Sequence, residues 1–513
     1  MARVKLLGGF LTVGAWTLVS RVLGFVRDIM IAATLGTGVM AEAFLIAFAL
    51  PNMFRRFFAE GTLNPAFVPM FSKKLETNDG AKEFAQDALS GLAFFLILFT
   101  IVAQIFMPFL VMAMASGFLA DERFDLTVLY GRIAFPYILF IAMAALLSGV
   151  LNATGRFMAA AAAPVLLNVL FIGSMTIALK MGVNVGMALI WTVPVAGIAQ
   201  MALVWVAASR AGFRLIPRRP RMTPELKRLA VLAAPAALAG GVVQVNLLVG
   251  RQVASFYDGA IAWLSYADRL YQLPLGVVGI AIGVVLLPDL TRRLSASDGV
   301  GAREALSRAG ELSLALTVPA AVALILVPLP LVEVLFERGA FNADDSAKTA
   351  LAVMIYGFGL PSFVLQKVLQ PNYFARQDTR TPFNYALVSM FVNAAIAIGL
   401  SYYIGYLAAA IGTTTASWLM TYMLWRGSWK MGEVARFDRR FWTRVWRIGV
   451  ASWSMGAVLI AVEILIGPMF GMGKLRYLAL AILILSGGGA YFLLGHMLRA
   501  FRLSEFKAAM RRS

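Results

Sequence analysis

The chain has 513 residues, 60% of them hydrophobic and only 14% charged, and its mean hydropathy is +0.80, which excludes a soluble globular domain and makes an integral membrane protein the default. The net charge of +19 is accounted for by cytoplasmic loops rich in Lys and Arg, so nucleic acid is not implied. With no cysteine and the single histidine His496, disulfides, thiolate chemistry and metal sites built from Cys or several His are excluded.

A membrane-crossing helix needs roughly 20 apolar residues. The N-terminal MARVKLLGG begins like a signal peptide, but its apolar run continues through Arg21 and Arg27 without a cleavage pattern, so it reads as a retained first helix. Along the chain fourteen spans are predicted, at 8–36, 39–71, 86–115, 125–152, 158–179, 184–208, 228–256, 260–290, 305–335, 347–374, 383–404, 406–426, 447–467 and 476–498. Interior Pro and Gly do not argue against them, because helices in membranes tolerate both. One set of alternate loops, with both termini, holds 31 of the 45 Lys and Arg. The opposite set holds Arg123, Lys180, Arg338, Lys348, Lys474 and Arg476. By the positive-inside rule both termini are expected in the cytoplasm, which requires an even number of spans.

The chain also resembles itself. PAFVPMFSKKL (65–75) echoes VVLLPDLTRRL (284–294), AFPYILF (134–140) echoes GLPSFVL (359–365), and Asn168 and Asn393 keep the same offset of 225 as Pro136 and Pro361. The expected organisation is therefore an all-α integral membrane protein with two parallel six-helix repeats around a central cavity, plus two further helices. Its parts are an N-lobe (1–208), a basic linker (209–227), a C-lobe (228–426), a basic loop (427–446), a last helix pair (447–498) and a basic tail (499–513).

Eight cations fall inside predicted spans: Arg21, Arg27, Arg55, Arg56, Arg132, Arg251, Arg269 and Lys367. Asp28, Glu42, Glu60 and Asp268 are the acids counted against them. A charged side chain at the bilayer centre costs on the order of 3 kcal/mol, so these groups face one another or a wet interior. Arg21 and Asp28, seven apart, share a helix face, and Arg56 and Glu60, four apart, can pair. Arg55 points about 100° away from Arg56. Pro51 should bend the second helix between Glu42 and the arginines. The excess of cations points to an anionic substrate, and arginine suits phosphate because its planar fork binds two oxygens at once.

At SRVLGFVRD (20–28), LPNMFRRFFAEGTLNPAFVP (50–69) and YADRLYQLPLGVVGIAIGVVLLP (266–288), the sequence resembles the MurJ/MviN family of bacterial lipid II flippases, within the superfamily that also holds multidrug extruders. The resemblance covers essentially the whole chain. It implies a non-enzymatic flippase of fourteen helices in the bacterial inner membrane. The substrate it implies is undecaprenyl-diphosphate carrying the disaccharide-pentapeptide unit, with the polyprenyl tail in a groove on the last two spans. It assigns substrate binding to Arg21, Arg27, Arg55 and Arg269, and gating or charge pairing to Asp28, Glu42, Arg56, Glu60 and Asp268. Glu42 stands where the family carries aspartate, a change that keeps the charge. The expected partners are lipid II, membrane lipids and the cell-wall synthesis machinery, with the chain acting as a monomer. No cofactor is implied. Coupling would be to the membrane potential or to a monovalent cation, for which Asn246 and Asn393 are polar candidates. No full carboxylate ligand set matches the sodium site known in some relatives. The alternatives are a flippase for another polyprenyl-diphosphate glycan and a cation-coupled drug exporter, the latter disfavoured by the arginine excess. A membrane enzyme acting on the same lipid would need clustered Asp or His.

Overall fold

The computed structural model describes residues 2–55 and 64–501, and of residues 2–12, 64–65, 234–243, 245 and 277–285 the backbone alone. It divides into two compact units, Met1–Ala262 with Gly339–Phe341, and Trp263–Arg338 with Asn342–Ser513. The first contains α1 (Ala2–Leu35), α2 (Val39–Arg55), α3 (Asn64–Glu76), α4 (Ala81–Ile105), α5 (Met107–Met114), α6 (Glu122–Ala134), α7 (Tyr137–Ala153), α8 (Met158–Met181), α9 (Val185–Arg210) and α10 (Pro224–Ala254). The second contains most of α11 (Ala260–Ser295), then α12 (Gly299–Leu326), α13 (Pro328–Phe336), α14 (Ala343–Phe374), α15 (Arg380–Ile404), α16 (Leu407–Ser428), α17 (Arg439–Phe470) and α18 (Leu475–Met497).

These helices follow the fourteen predicted spans in order, and the fold is the expected all-helical membrane type. Among the described residues, nine helical stretches are long and apolar enough by themselves to cross a membrane. Four spans consist of two helices each. Proline or the residue before it marks three of the joins, at Phe106–Met107, at Phe135–Pro136 and at Val327 before Pro328, where a missing N–H and a fixed φ interrupt the ladder. The fourth join, between α2 and α3, contains residues outside the described set. Pro361, the repeat partner of Pro136, stays inside α14, so the two halves use the same proline differently.

Helix starts carry side-chain caps at the loops. Asn184 accepts from Met187 N, Thr223 from Leu226 N, Asp298 from Gly301 N and Asp438 from Phe441 N. Asn342 and Asp345 form a reciprocal capping box on α14, which satisfies two orphan N–H groups. The Asp438 cap explains why α17 begins at Arg439, ahead of the predicted 447. Its first turns carry Arg439, Arg440, Arg444 and Arg447, which a helix tolerates where it projects beyond the hydrocarbon.

The repeat is visible in helix pairing. In the first unit α7 packs on α9, α8 on α9 and α4 on α7; the corresponding pairs α14 with α16, α15 with α16 and α12 with α14 recur in the second. The first unit's core joins Phe44, Tyr130, Tyr137, Phe171 and Val193 in one cluster and Phe67, Phe71, Phe84, Leu146 and Val204 in another. The basic linker is strapped to α4. Arg218 donates to Asp87 Oδ1 at 2.6 and 2.9 Å, its N–H to Ser90 Oγ at 2.9 Å, and Gln86 to Ile216 O at 2.8 Å.

Candidate substrate-binding site

On α1, Arg27 and Asp28 are both buried. Adjacent helical residues do not face each other, but the long arginine stem folds back. Nε and Nη2 of Arg27 donate to Asp28 Oδ1 at 3.0 and 2.8 Å. Nη1 donates to Asn168 Oδ1 at 3.0 Å, and the guanidinium lies 5.7 Å from the centre of the Phe171 ring. Asn168 and Phe171, three apart on α8, share the face that packs on α1. Arg21 is exposed. Although it shares a direction with Asp28, seven residues separate them by about 10.5 Å along the axis, and the neighbouring arginine holds the carboxylate.

The end of α2 carries Arg55, half-buried, with Nε donating to Asn52 Oδ1 at 3.3 Å; Asn52 Nδ2 donates to Phe48 O at 2.8 Å. Phe54 sets the rotation of this last turn by packing against Phe99 and Phe135, with ring centres 5.0 and 5.7 Å away. Pro51 is buried inside α2, which continues through it to Arg55. Arg56 and Glu60 lie outside the described residues, and so does their expected pairing.

Glu42 is 1% exposed. Its partner is a residue that sequence reasoning placed in a loop. Arg123 Nη1 donates to Glu42 Oε2 at 2.8 Å, while Ile261 N, in the first turn of α11, donates to Oε1 at 3.0 Å. Arg123 also binds Asp121 at 2.5 Å and Asp258 at 2.9 Å and lies 4.5 Å from the Phe118 ring. Hydrogen bonding from Arg123 holds the Asp121 carboxyl below its ordinary range. One carboxylate on α2 thus ties together the start of α6 and the first turn of α11. Glu42's need for a partner in an apolar segment was the only signal in the sequence.

In the second unit Asp268 is half-buried and Arg269, one position on, is exposed. Gln272 Nε2 donates to Asp268. Beside it Tyr271 packs against Tyr356 and Phe363, with ring centres 5.1 and 5.4 Å away. Arg132 and Lys367 are exposed and Arg251 half-buried; Asn246 is half-buried and Asn393 buried. Six acids inside predicted spans were left out of the charge count: Asp87, Asp125, Asp289, Glu311, Glu333 and Glu463. Glu311 on α12 is buried against Arg308 and Arg444, and Glu333 and Glu463 lie on α13 and α17. The count of four acids is therefore too low for the whole chain, and one of the six, Asp289, lies on α11, where Arg292 and Arg293 hold it. Among the described residues, no group of three or more His, Cys, Asp or Glu is arranged to hold a metal ion.

Comparison with known proteins adds the following. A family model described as lipid II flippase MurJ matches residues 31–486. A probable lipid II flippase MurJ from Rhizobium tropici is 41% identical over 519 aligned positions, covering 99% of this chain and 97% of that protein. One from Rhizobium meliloti (strain 1021) is 42% identical with the same coverage. Among solved structures, a lipid II flippase MurJ in an inward closed conformation matches with a TM-score of 0.79 at 24% identity, covering 95% of this chain and 98% of that one. An inward-facing multidrug resistance transporter of the MATE family matches at 0.66 and 15% identity, covering 81% and 95%. At these identities the two structures speak to fold alone.

Proposed function

The chain belongs to the MurJ family of lipid II flippases, and from that premise we propose that it moves lipid II, the undecaprenyl-diphosphate-linked disaccharide-pentapeptide, from the inner to the outer leaflet of the bacterial inner membrane. The observation that carries this reading is identity above 40% along nearly the full length of both chains. The headgroup is large, hydrated and anionic, and hydrocarbon excludes it. In this reading Arg21, Arg27 and Arg55 of the first unit and Arg269 of the second hold the diphosphate, as bidentate guanidinium–phosphate pairs allow. The polyprenyl chain runs along α17 and α18. The two repeats rock by alternating access. The protein performs no bond chemistry, works as a monomer with both termini in the cytoplasm, and meets the cell-wall synthesis machinery on the outer side. Coupling to the membrane potential supplies about 2.3 kcal/mol per 100 mV for each charge moved; a monovalent cation is the other source. In cells depleted of their own lipid II flippase, this chain should restore exposure of lipid II on the outer leaflet. Arg27→Ala and Arg269→Ala should not, at equal membrane levels. Full rescue by both variants rejects the arginine assignment, and failure of the unaltered chain rejects the substrate.

A further inference from the structure

Asn168 has no role in the reading above, yet it is the side chain from another helix that fixes Arg27. It is 4% exposed. Its amide is used at both ends: Nδ2 donates to Ser20 O at 2.9 Å, and Oδ1 accepts from Arg27 Nη1 at 3.0 Å. The first bond ties α8 to α1 about two turns before Arg27, and fixes which way the amide points. With Nδ2 committed to a carbonyl, the oxygen must face the guanidinium.

A guanidinium has five N–H donors. Arg27 spends Nε and one hydrogen of Nη2 on Asp28, and one hydrogen of Nη1 on Asn168. These bonds leave one hydrogen on each Nη, the pair with which an arginine grips two phosphate oxygens. Asp28 alone holds one edge of the plane and leaves it able to swing about that edge. Asn168 fixes the opposite corner, and Phe171, one turn along α8, covers a face of the plane at 5.7 Å. The neutral amide does this without cancelling charge. A carboxylate at the same place would give Arg27 two anions and remove its attraction for a third.

We infer that Asn168 is a positioning residue for substrate recognition: it holds the Arg27 guanidinium, while keeping it cationic, in the orientation from which it takes the diphosphate. This rests on the reading that Arg27 contacts substrate. Asn393, its repeat partner, is also fully buried; the inference concerns the first repeat.

The test is a double-mutant cycle on the full-length protein in nanodiscs, reading lipid II affinity per folded molecule, with thermal unfolding measured alongside. Asn168→Ala should weaken binding about ten-fold, the scale of one lost bond to a charged group. In an Arg27→Ala background the same change should alter affinity less than two-fold. If Asn168→Ala fails to fold, Asn168→Asp decides. It keeps an acceptor for Arg27, and it should fold yet bind lipid II at least ten-fold more weakly because Arg27 is then neutralised. Wild-type affinity in Asn168→Asp, or equal losses from Asn168→Ala in both backgrounds, overturns the inference. If Arg27→Ala alone leaves lipid II affinity unchanged, it is the substrate-site reading that fails.

Discussion

Replacing Glu42 should destabilise the first unit by an amount that can be worked from its contacts. The carboxylate is 1% exposed and accepts two hydrogen bonds, from Arg123 Nη1 at 2.8 Å and from Ile261 N at 3.0 Å. A bond to a charged group contributes about 1.5–3 kcal/mol, and a buried N–H left without an acceptor costs about 1–3 kcal/mol. Glu42→Ala should therefore lose about 3–5 kcal/mol. The loss does not reach that of a fully stranded buried charge, because Arg123 keeps Asp121 and Asp258. Glu42→Gln retains one carbonyl oxygen, which can still accept from Ile261, so its loss should be about half as large. Unfolding of detergent-solubilised protein in graded denaturant, followed by tryptophan fluorescence, should rank wild type above Glu42→Gln and Glu42→Gln above Glu42→Ala. Arg123→Ala should be non-additive with Glu42→Ala by about 1–3 kcal/mol, since both remove the same bond. Wild-type stability in Glu42→Ala, or strict additivity of the pair, would refute the argument.

Two further outcomes follow from local geometry. The Asp121 carboxyl, outside the spans, is held below its ordinary value of 3.8, chiefly by the hydrogen bond from Arg123. A lowered folded-state value means that the unfolded chain binds the proton first. The stabilisation is thus complete above pH 3.8 and disappears as pH falls through the folded value. The stability gap between wild type and Asp121→Asn should narrow as unfolding is measured from pH 6 down to pH 3, and a gap that widens would contradict the assignment. Gly339 has φ +60, and a Cβ there would sit 2.2 Å from Ala33 O, beside the 2.8 Å bond from Ala340 N to the same oxygen. Gly182, in the left-handed helical region at φ +66 and ψ +24, has open space around it. Gly182→Ala should cost only the left-handed penalty of about 1–2 kcal/mol, and Gly339→Ala clearly more in the same unfolding assay. Equal losses would show that the Ala33 contact is not tight.

Hydropathy made the fourteen spans legible because length and apolarity are local properties, and matching prolines and basic pairs made the repeat legible. Proline also marked three of the helix joins, although Pro136 and Pro361 look alike in sequence and only the first breaks its helix. What stayed hidden is long-range pairing. Sorting charges into loops and spans put Arg123 on one list and Glu42 on another, yet 81 residues apart they form a buried pair. Helical periodicity put Arg21 and Asp28 on one face, which was sound, but could not say that Arg27 would fold back to take the carboxylate. Asn168 was legible only as a repeat marker, since nothing in the chain before it reveals that α8 packs on α1.

These pairings change the charge argument for an anionic substrate. On α1, α2 and α11 the described cations proposed for binding are Arg21, Arg27, Arg55 and Arg269, and the acids on the same helices within the spans are Asp28, Glu42, Asp268 and Asp289. Glu42 is taken by Arg123, which lies on none of these helices, and Asp289 by Arg292 and Arg293 near the end of α11, so neither offsets the four arginines. Asp28 and Asp268 remain, leaving two positive charges. A diphosphate joined at both ends carries one ionised oxygen per phosphorus, and so two negative charges. Arg56 and Glu60, if both are ionised, leave that balance unchanged. A carboxylate introduced on these helices should therefore cost more than the loss of a neutral contact, because it removes half of the available charge. At that proposed site a cationic drug would meet the wrong sign. The other acids omitted from the earlier count, Asp87, Asp125, Glu311, Glu333 and Glu463, lie on α4, α6, α12, α13 and α17, so they do not lower the charge of the arginine-bearing helices themselves.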